Sequence, residues 1–168
     1  LLSLGKRLNE FMNGLEIPAH WKKGTIVQLF KGGEEHDPGN YRPITLLNVD
    51  YKILCSIMAS RLSSFITKLI PNYQIGFMPR RLIYDNVFCL DVAMRSNTKA
   101  IVLDFKKAYD SVSHDAISAI LSHLQFPNNF VQVVGSMLRG STARILANNL
   151  LSEPFPVNRG VKQGDPLS

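Results

Sequence analysis

The chain has 168 residues, 45% hydrophobic and 19% charged, a balance that argues for a packed core and against general disorder. Its formal net charge is +6. Most of the excess sits in residues 1–99, with 13 Lys and Arg against 8 Asp and Glu, compared with 6 against 5 in residues 100–168. That suits either a polyanionic partner, whose phosphates Lys and Arg neutralise with release of counterions, or a solubilising surface. No stretch reaches the ~18 apolar residues that a membrane span needs. Cys55 and Cys89 lie apart in apolar surroundings with no His beside them, which predicts buried free thiols and no zinc site. The start at Leu1 and the stop just after a turn, at Ser168, suggest cuts in a longer chain.

In chain order, Leu4, Leu8 and Phe11 at helical spacing predict a helix within residues 1–15, ended by Ile17-Pro18. Residues 25–30 have strand composition, 31–39 form a polar turn cluster, and 44–47 are a second extended run. Asn48 or Asp50 can cap the helix that follows, which runs to about Leu69 and stops before Pro71. Its apolar face is Ile53, Leu54, Ile57, Met58, Leu62, Phe65 and Ile66. Residues 72–82 read as an irregular basic connection and 85–95 as a helix. Ala100-Ile101-Val102-Leu103 is a short apolar run of the kind expected for a strand buried on both faces, and it ends on Asp104. Helices are predicted at 113–124 and 127–138, and residues 142–147 and 155–157 flank Asn148-Asn149 as a hairpin. The last ten residues read as a glycine-bearing loop. Helices and strands mix without regular βαβ alternation, so the fold class is α+β.

Asp104 carries the most chemical information. A carboxylate at the C-terminal end of a buried strand either caps the next helix or holds a hard cation such as Mg²⁺, which prefers carboxylate and phosphate oxygens. The string Ile101-Val102-Leu103-Asp104-Phe105-Lys106-Lys107-Ala108-Tyr109-Asp110-Ser111-Val112 resembles motif A of reverse transcriptases. Residues 40–48, Asn-Tyr-Arg-Pro-Ile-Thr-Leu-Leu-Asn, with Tyr51-Lys52-Ile53-Leu54 and Arg61-Leu62, resemble their first fingers motif. Gln74-Ile75-Gly76-Phe77-Met78-Pro79 with Arg81 and Asp85-Asn86 resembles the second, and residues 159–168, Arg-Gly-Val-Lys-Gln-Gly-Asp-Pro-Leu-Ser, resemble motif B. Four motifs in the family's order over nearly the whole chain make it similar to the non-LTR (LINE-type) retrotransposon reverse transcriptases.

The resemblance implies a right-hand polymerase, with residues 1–98 as fingers and 99–168 as the first part of the palm. The palm is then truncated before the aromatic-x-Asp-Asp hairpin that supplies the remaining metal carboxylates. Asp104 would be the first catalytic and metal-binding aspartate, with the backbone carbonyl of Phe105 as a further ligand of Mg²⁺, or of Mn²⁺ in its place. Arg42 and Lys52 match positions that touch the incoming deoxynucleoside triphosphate, where fixed cations stabilise charge on the phosphate oxygens. Tyr109 would lie under the incoming sugar and exclude a 2′-hydroxyl. Gln163 and Gly164 match the motif B loop near the nucleotide and the template base. Arg80 and Arg81, beside Phe77, would grip template phosphates; the family often has a glycine where Arg80 stands and a small polar residue where Leu82 stands. His114 reads as structural.

The implied partners are an RNA template, a DNA primer, deoxynucleotides and the rest of a parent polyprotein, with no membrane. A nuclear or cytoplasmic ribonucleoprotein is the expected setting. Two-metal transfer needs shared carboxylates around ions ~3.5–4 Å apart, so the segment alone is expected to be inactive and its palm sheet to keep an unpaired edge. Two other readings stand beside this one. The first is a decayed or repurposed remnant that binds nucleic acid without catalysis. The second is an RNA-templated RNA polymerase, against which Tyr109 argues.

Overall fold

The computed structural model describes residues 2–96 and 98–168. They form two compact units: one runs to Cys55 and resumes at Lys107–Ser168, and the other is Ser56–Lys106.

The first unit opens with α1 (Leu2–Met12), whose Leu8 and Phe11 are buried. Phe11 meets Trp21 edge-on at 5.1 Å, an arrangement that sets ring edge against ring face. The sheet comprises β1 (Lys23–Phe30), β2 (Tyr41–Leu47), β3 (Thr142–Ala147), β4 (Leu150–Leu151) and β5 (Phe155–Pro156). β1 pairs antiparallel with β2, from Gly24↔Leu47 to Phe30↔Tyr41, and parallel with β3, from Lys23↔Thr142 to Val27↔Leu146. β4 and β5 both pair antiparallel with β3. The order β2-β1-β3-β4 leaves β2 at an edge, where a proline is tolerated because its missing N–H can face outward. Thr45, two residues after Pro43, sends its own N–H away from β1 to the Gln163 carbonyl at 2.7 Å. By the twofold alternation of a strand, Pro43 has its missing donor on that same outer side.

Helix α2 (Val49–Leu69) begins in the first unit, and Asn48 supplies its cap by accepting the Asp50 N–H at 2.9 Å. Tyr51, Leu54 and Cys55 are buried. After a single turn, α4 (Ala108–Ser111), come α5 (His114–His123) and α6 (Asn128–Leu138). Ser113 caps α5 through the Ala116 N–H, and Gln125 ends it in the left-handed region at φ 59°. Phe126 and Phe130 stack at 5.3 Å, while α6 buries Val133, Val134 and Met137. The predicted hairpin at Asn148-Asn149 is present. Both residues have positive φ, 50° and 61°, as the type I′ turn between β3 and β4 requires.

The second unit contains the later turns of α2, with Met58 buried and Phe65 exposed, then the loop to Leu82 and α3 (Ile83–Arg95). The Arg81 guanidinium donates to the carbonyls of Ile70 at 3.0 Å, Gln74 at 2.6 Å and Pro71, which closes the loop on itself. Ile75 and Met78 of the loop are buried. Arg80 stands at φ 62°, a conformation that costs an L-residue about 1–2 kcal/mol and glycine nothing. The glycine usual in the resembled family fits that geometry.

Two expectations are corrected here. Ala100–Leu103 is not a strand: Ile101, Val102 and Leu103 are 86–88% exposed and pair with no segment among the described residues. An apolar run signals a need for burial, but a strand also needs a hydrogen-bonding neighbour, and none of the described residues supplies one. Cys89 is exposed on α3, whereas Cys55 is buried as expected. The apolar neighbours of Cys89 in sequence are themselves exposed, Phe88 and Val87 among them.

Replacing the second turn residue, Asn149→Gly, is expected to raise the unfolding free energy by about 0.5–1 kcal/mol, and Asn149→Val to lower it by ~1–2 kcal/mol. Urea titration of the two variants checks the pair; equal midpoints would deny the left-handed geometry.

Candidate functional site

Three segments meet over one face of the sheet in the first unit. Pro43 and Thr45 come from β2, Asp110 from α4, and the third is the stretch Val157–Gln163 that follows β5. Together with Ile26 and Ala143 they surround a cavity of about 70 Å³. That is several-fold smaller than the ~300 Å³ at which ligand pockets begin, so the cavity marks a seam between segments and not a complete nucleotide pocket.

Backbone hydrogen bonds make the seam. Gly160 N–H donates to Val112 O and Val161 N–H to Tyr109 O, both at 2.8 Å. Arg159 Nε donates to Ser111 O at 2.8 Å, and His114 Nε2 lies 2.8 Å from Gly160 O, which makes this histidine a structural tie. On the far side of the loop, Gln163 O accepts from Thr45 N–H. Both glycines of the segment are held where no side chain fits. A Cβ on Gly160, at φ 86°, would fall 2.9 Å from Asp110 Cα and 3.0 Å from two carbonyl oxygens. One on Gly164, at φ 108°, would fall 2.9 Å from Thr45 O.

Beneath the loop lies a polar cluster. Lys162 Nζ donates to Lys22 O and to Ser141 Oγ, both at 3.2 Å, and stands 4.9 Å over the Tyr51 ring. Burial, then the neighbouring Cys55 and Asp165, holds the Tyr51 phenol far above its ordinary range. Burial, then Asp165, pushes the Cys55 thiol up likewise. The Lys162 ammonium is pulled down by burial, against the opposing pull of Asp165.

Among the residues predicted for the site, Gln163 and Gly164 thus lie against β2, and Tyr109, half-buried on α4, lies against Val161. Arg42 is exposed on β2 opposite Leu29, and Lys52 is exposed in the first turns of α2. Asp104, Phe105, Arg80 and Arg81 belong to the second unit. Asp104 and Phe105 are exposed there in irregular chain, and Arg81 directs its guanidinium to loop carbonyls. Among the described residues no three Asp, Glu, His or Cys side chains gather. The donor set therefore does not amount to a complete two-ion centre. Sequence reasoning assigned no role to Gly160, Arg159 or Lys162; their only signal was membership of the last motif.

Two predictions arise from this geometry. Gly160→Ala should destabilise the protein by about 1–3 kcal/mol, through overpacking and a strained φ. Gly5→Ala, on α1 with open space around its position, should stabilise it by ~0.5–1 kcal/mol. Denaturant melts of both variants decide the matter, and like signs would reject the close approach.

The second prediction concerns alkaline pH. Tyr51 and Cys55 hold their protons in the fold, while the unfolded chain loses them from about pH 8.5 for Cys and ~10 for Tyr. In that window the unfolded state binds fewer protons, so their contribution to stability falls as pH rises. Lys162 acts in the opposite sense: between its lowered pKa and ~10.4 the unfolded state binds more protons, and its contribution rises with pH. Between about pH 8.5 and 10 Cys55 and Lys162 oppose each other, and above ~10 Cys55 and Tyr51 together should give a net decline, shallower in Tyr51→Phe. Urea midpoints from pH 7 to 11 measure it, and identical slopes in the two proteins would mean that the phenol ionises inside the fold.

Residues 22–168 match the family described as Reverse transcriptase (RNA-dependent DNA polymerase). The chain is 32% identical over 96% of its length to the transposon TX1 uncharacterized 149 kDa protein of Xenopus laevis. It is 36% identical over 78% of its length to the retrovirus-related Pol polyprotein from the type-2 retrotransposable element R2DM of Drosophila melanogaster. It is 28% identical over 99% of its length to the probable RNA-directed DNA polymerase from transposon BS of the same fly. It spans 13% of the first two relatives and 19% of the third. With the family match covering residues 22–168 and with retrotransposon proteins as its relatives, the chain belongs to the reverse transcriptase family, in its non-LTR branch.

Proposed function

We propose that this segment is the fingers, residues 1–98, and the first part of the palm, residues 99–168, of an RNA-directed DNA polymerase that extends a primer with deoxynucleotides. The observation that carries the reading is the match over residues 22–168. The meeting of residues from the first fingers motif, motif A and motif B around one seam supports it, because template copying needs those three segments to act on one nucleotide. In this reading Arg42 and Lys52, both exposed, take the triphosphate, since exposed cations on a sheet edge and a helix start are free to meet phosphate oxygens. Tyr109 sits under the sugar, and the backbone of Gln163 and Gly164 faces the base. Arg80 meets template phosphate, while Arg81 shapes the loop that presents it.

Asp104 supplies the first carboxylate for Mg²⁺, or for Mn²⁺ in its place. In this reading the 168 residues by themselves do not polymerise, because among the described residues no further carboxylates gather with Asp104 into a two-ion set. The wider composition agrees with nucleic-acid partners: the basic excess lies in residues 1–99, and counterion release from RNA or DNA would favour its binding.

The test is primer extension on an RNA template by the full reading frame that contains this segment, with Mg²⁺ and either deoxynucleotides or ribonucleotides. Extension with deoxynucleotides, a drop of at least ~10³-fold in Asp104→Asn and no product from the isolated segment are the expected results. Ribonucleotide use at equal rate would favour an RNA polymerase. Template binding without any extension would favour a nucleic-acid-binding remnant.

A further inference from the structure

Lys162 belongs to the motif B loop, yet its side chain leaves that loop and turns inward. A lysine on an exposed loop keeps its charge fully hydrated at no cost. Here the ammonium is half-buried, beside a second cation, Lys22, and burial depresses its pKa. Its three contacts come from three places: the Lys22 carbonyl just before β1, the Ser141 hydroxyl just before β3, and the Tyr51 ring on α2. The proton inventory is consistent. A serine hydroxyl has one proton, and Ser141 Oγ donates it to Met137 O at 3.2 Å, which leaves a lone pair for Lys162. Tyr51 OH donates to the same carbonyl at 3.3 Å. The socket is thus built from fixed groups of the core. The residues on either side of Lys162 are tied elsewhere, Val161 to α4 and Gln163 to β2. Three consecutive residues therefore fasten the loop to three different parts of the unit.

We propose that Lys162 is a positioning residue: by seating its ammonium in the Lys22–Ser141–Tyr51 socket it sets the height of the Gln163–Gly164 backbone over β2, and so the surface on which the incoming nucleotide rests. The inference deepens the polymerase reading and rests on it for the identity of the ligand, but its structural half can be read without catalysis.

Hydrogen exchange at the Thr45 amide reports that half directly, because this N–H is held by Gln163 O. In Lys162→Met, which keeps an apolar stem over Tyr51 and removes the charge, the Thr45 amide should exchange about tenfold faster. The amides of Val133 and Val134 in α6 should be unmoved, and Lys162→Arg should restore Thr45 to within about threefold. An unchanged Thr45 amide, or an equal rise throughout α6, overturns the proposal. Should Lys162→Met not fold, Ser141→Ala removes one wall of the socket and is read by the same comparison. A Thr45 amide unchanged in that variant overturns the proposal as well. In the full reading frame, Lys162→Met should raise KM for deoxynucleotide by about tenfold and leave primer–template affinity within twofold, since template affinity would rest mainly on phosphate contacts made by other segments, that of Arg80 among them. Equal losses in both overturn it. If the unmodified protein extends no primer, the polymerase reading fails, and the exchange result still decides whether Lys162 sets the loop.

Discussion

The organising constraint of the first unit is the satisfaction of backbone groups along Gly160–Gly164. This stretch has no regular secondary structure, so its N–H and C=O groups must find partners one by one or lose free energy on leaving water. The Gly160 and Val161 N–H groups find theirs in α4 and the residue after it, and Gln163 O finds its partner in β2. Each partner exists because of a local choice in the sequence. Pro43 leaves the outer edge of β2 short of a donor, and the edge is then covered at Thr45 by the crossing loop. The single turn of α4 ends early and leaves the carbonyls of Tyr109, Ser111 and Val112 available to Val161, Arg159 and Gly160. The two glycines follow from the same demand, because backbones this close leave no room for a Cβ.

Sidedness matters for function. A nucleotide-copying site needs its parts held at fixed separations with little reorganisation, and main-chain hydrogen bonds across a seam hold separations more tightly than long flexible side chains do. The polar cluster under the loop extends this logic inward. Tyr51 and Ser141 both donate to the Met137 carbonyl, and Lys162 donates to Ser141 Oγ and Lys22 O, so that each proton has a place, which is the condition for a buried polar network to support a fold. Cys55 lies in the same cluster and is kept as a thiol by burial.

The second unit has a different balance. Its loop is closed by Arg81, but α3 buries none of its residues, and the run from Ile101 to Phe105 carries apolar side chains at 85–88% exposure. Within this unit the chain offers apolar surface without apolar partners, and it presents Asp104 at the end of that surface. Among the described residues Asp104 belongs to no group of three or more Asp, Glu, His or Cys side chains.

Much of the fold was legible in the sequence because its signals are local. The helices α2, α3, α5 and α6 follow from their helical segments in the sequence, α2 with Asn48 as its cap, and the β3–β4 turn follows from Asn148-Asn149, which tolerate positive φ. The motifs were legible too, as ordered strings of residue types that point to the family. What the sequence could not decide was partnership. The spacing of residues 100–103 said that they want burial but not by what, and Cys89 sat among apolar neighbours that are themselves exposed. Nothing in Lys162 as a letter distinguishes a solvated loop cation from one seated over Tyr51. Only the tertiary structure decides such cases, because a hydrogen bond between Thr45 and Gln163, or an ammonium held between Lys22 and Ser141, depends on segments more than a hundred residues apart meeting in space.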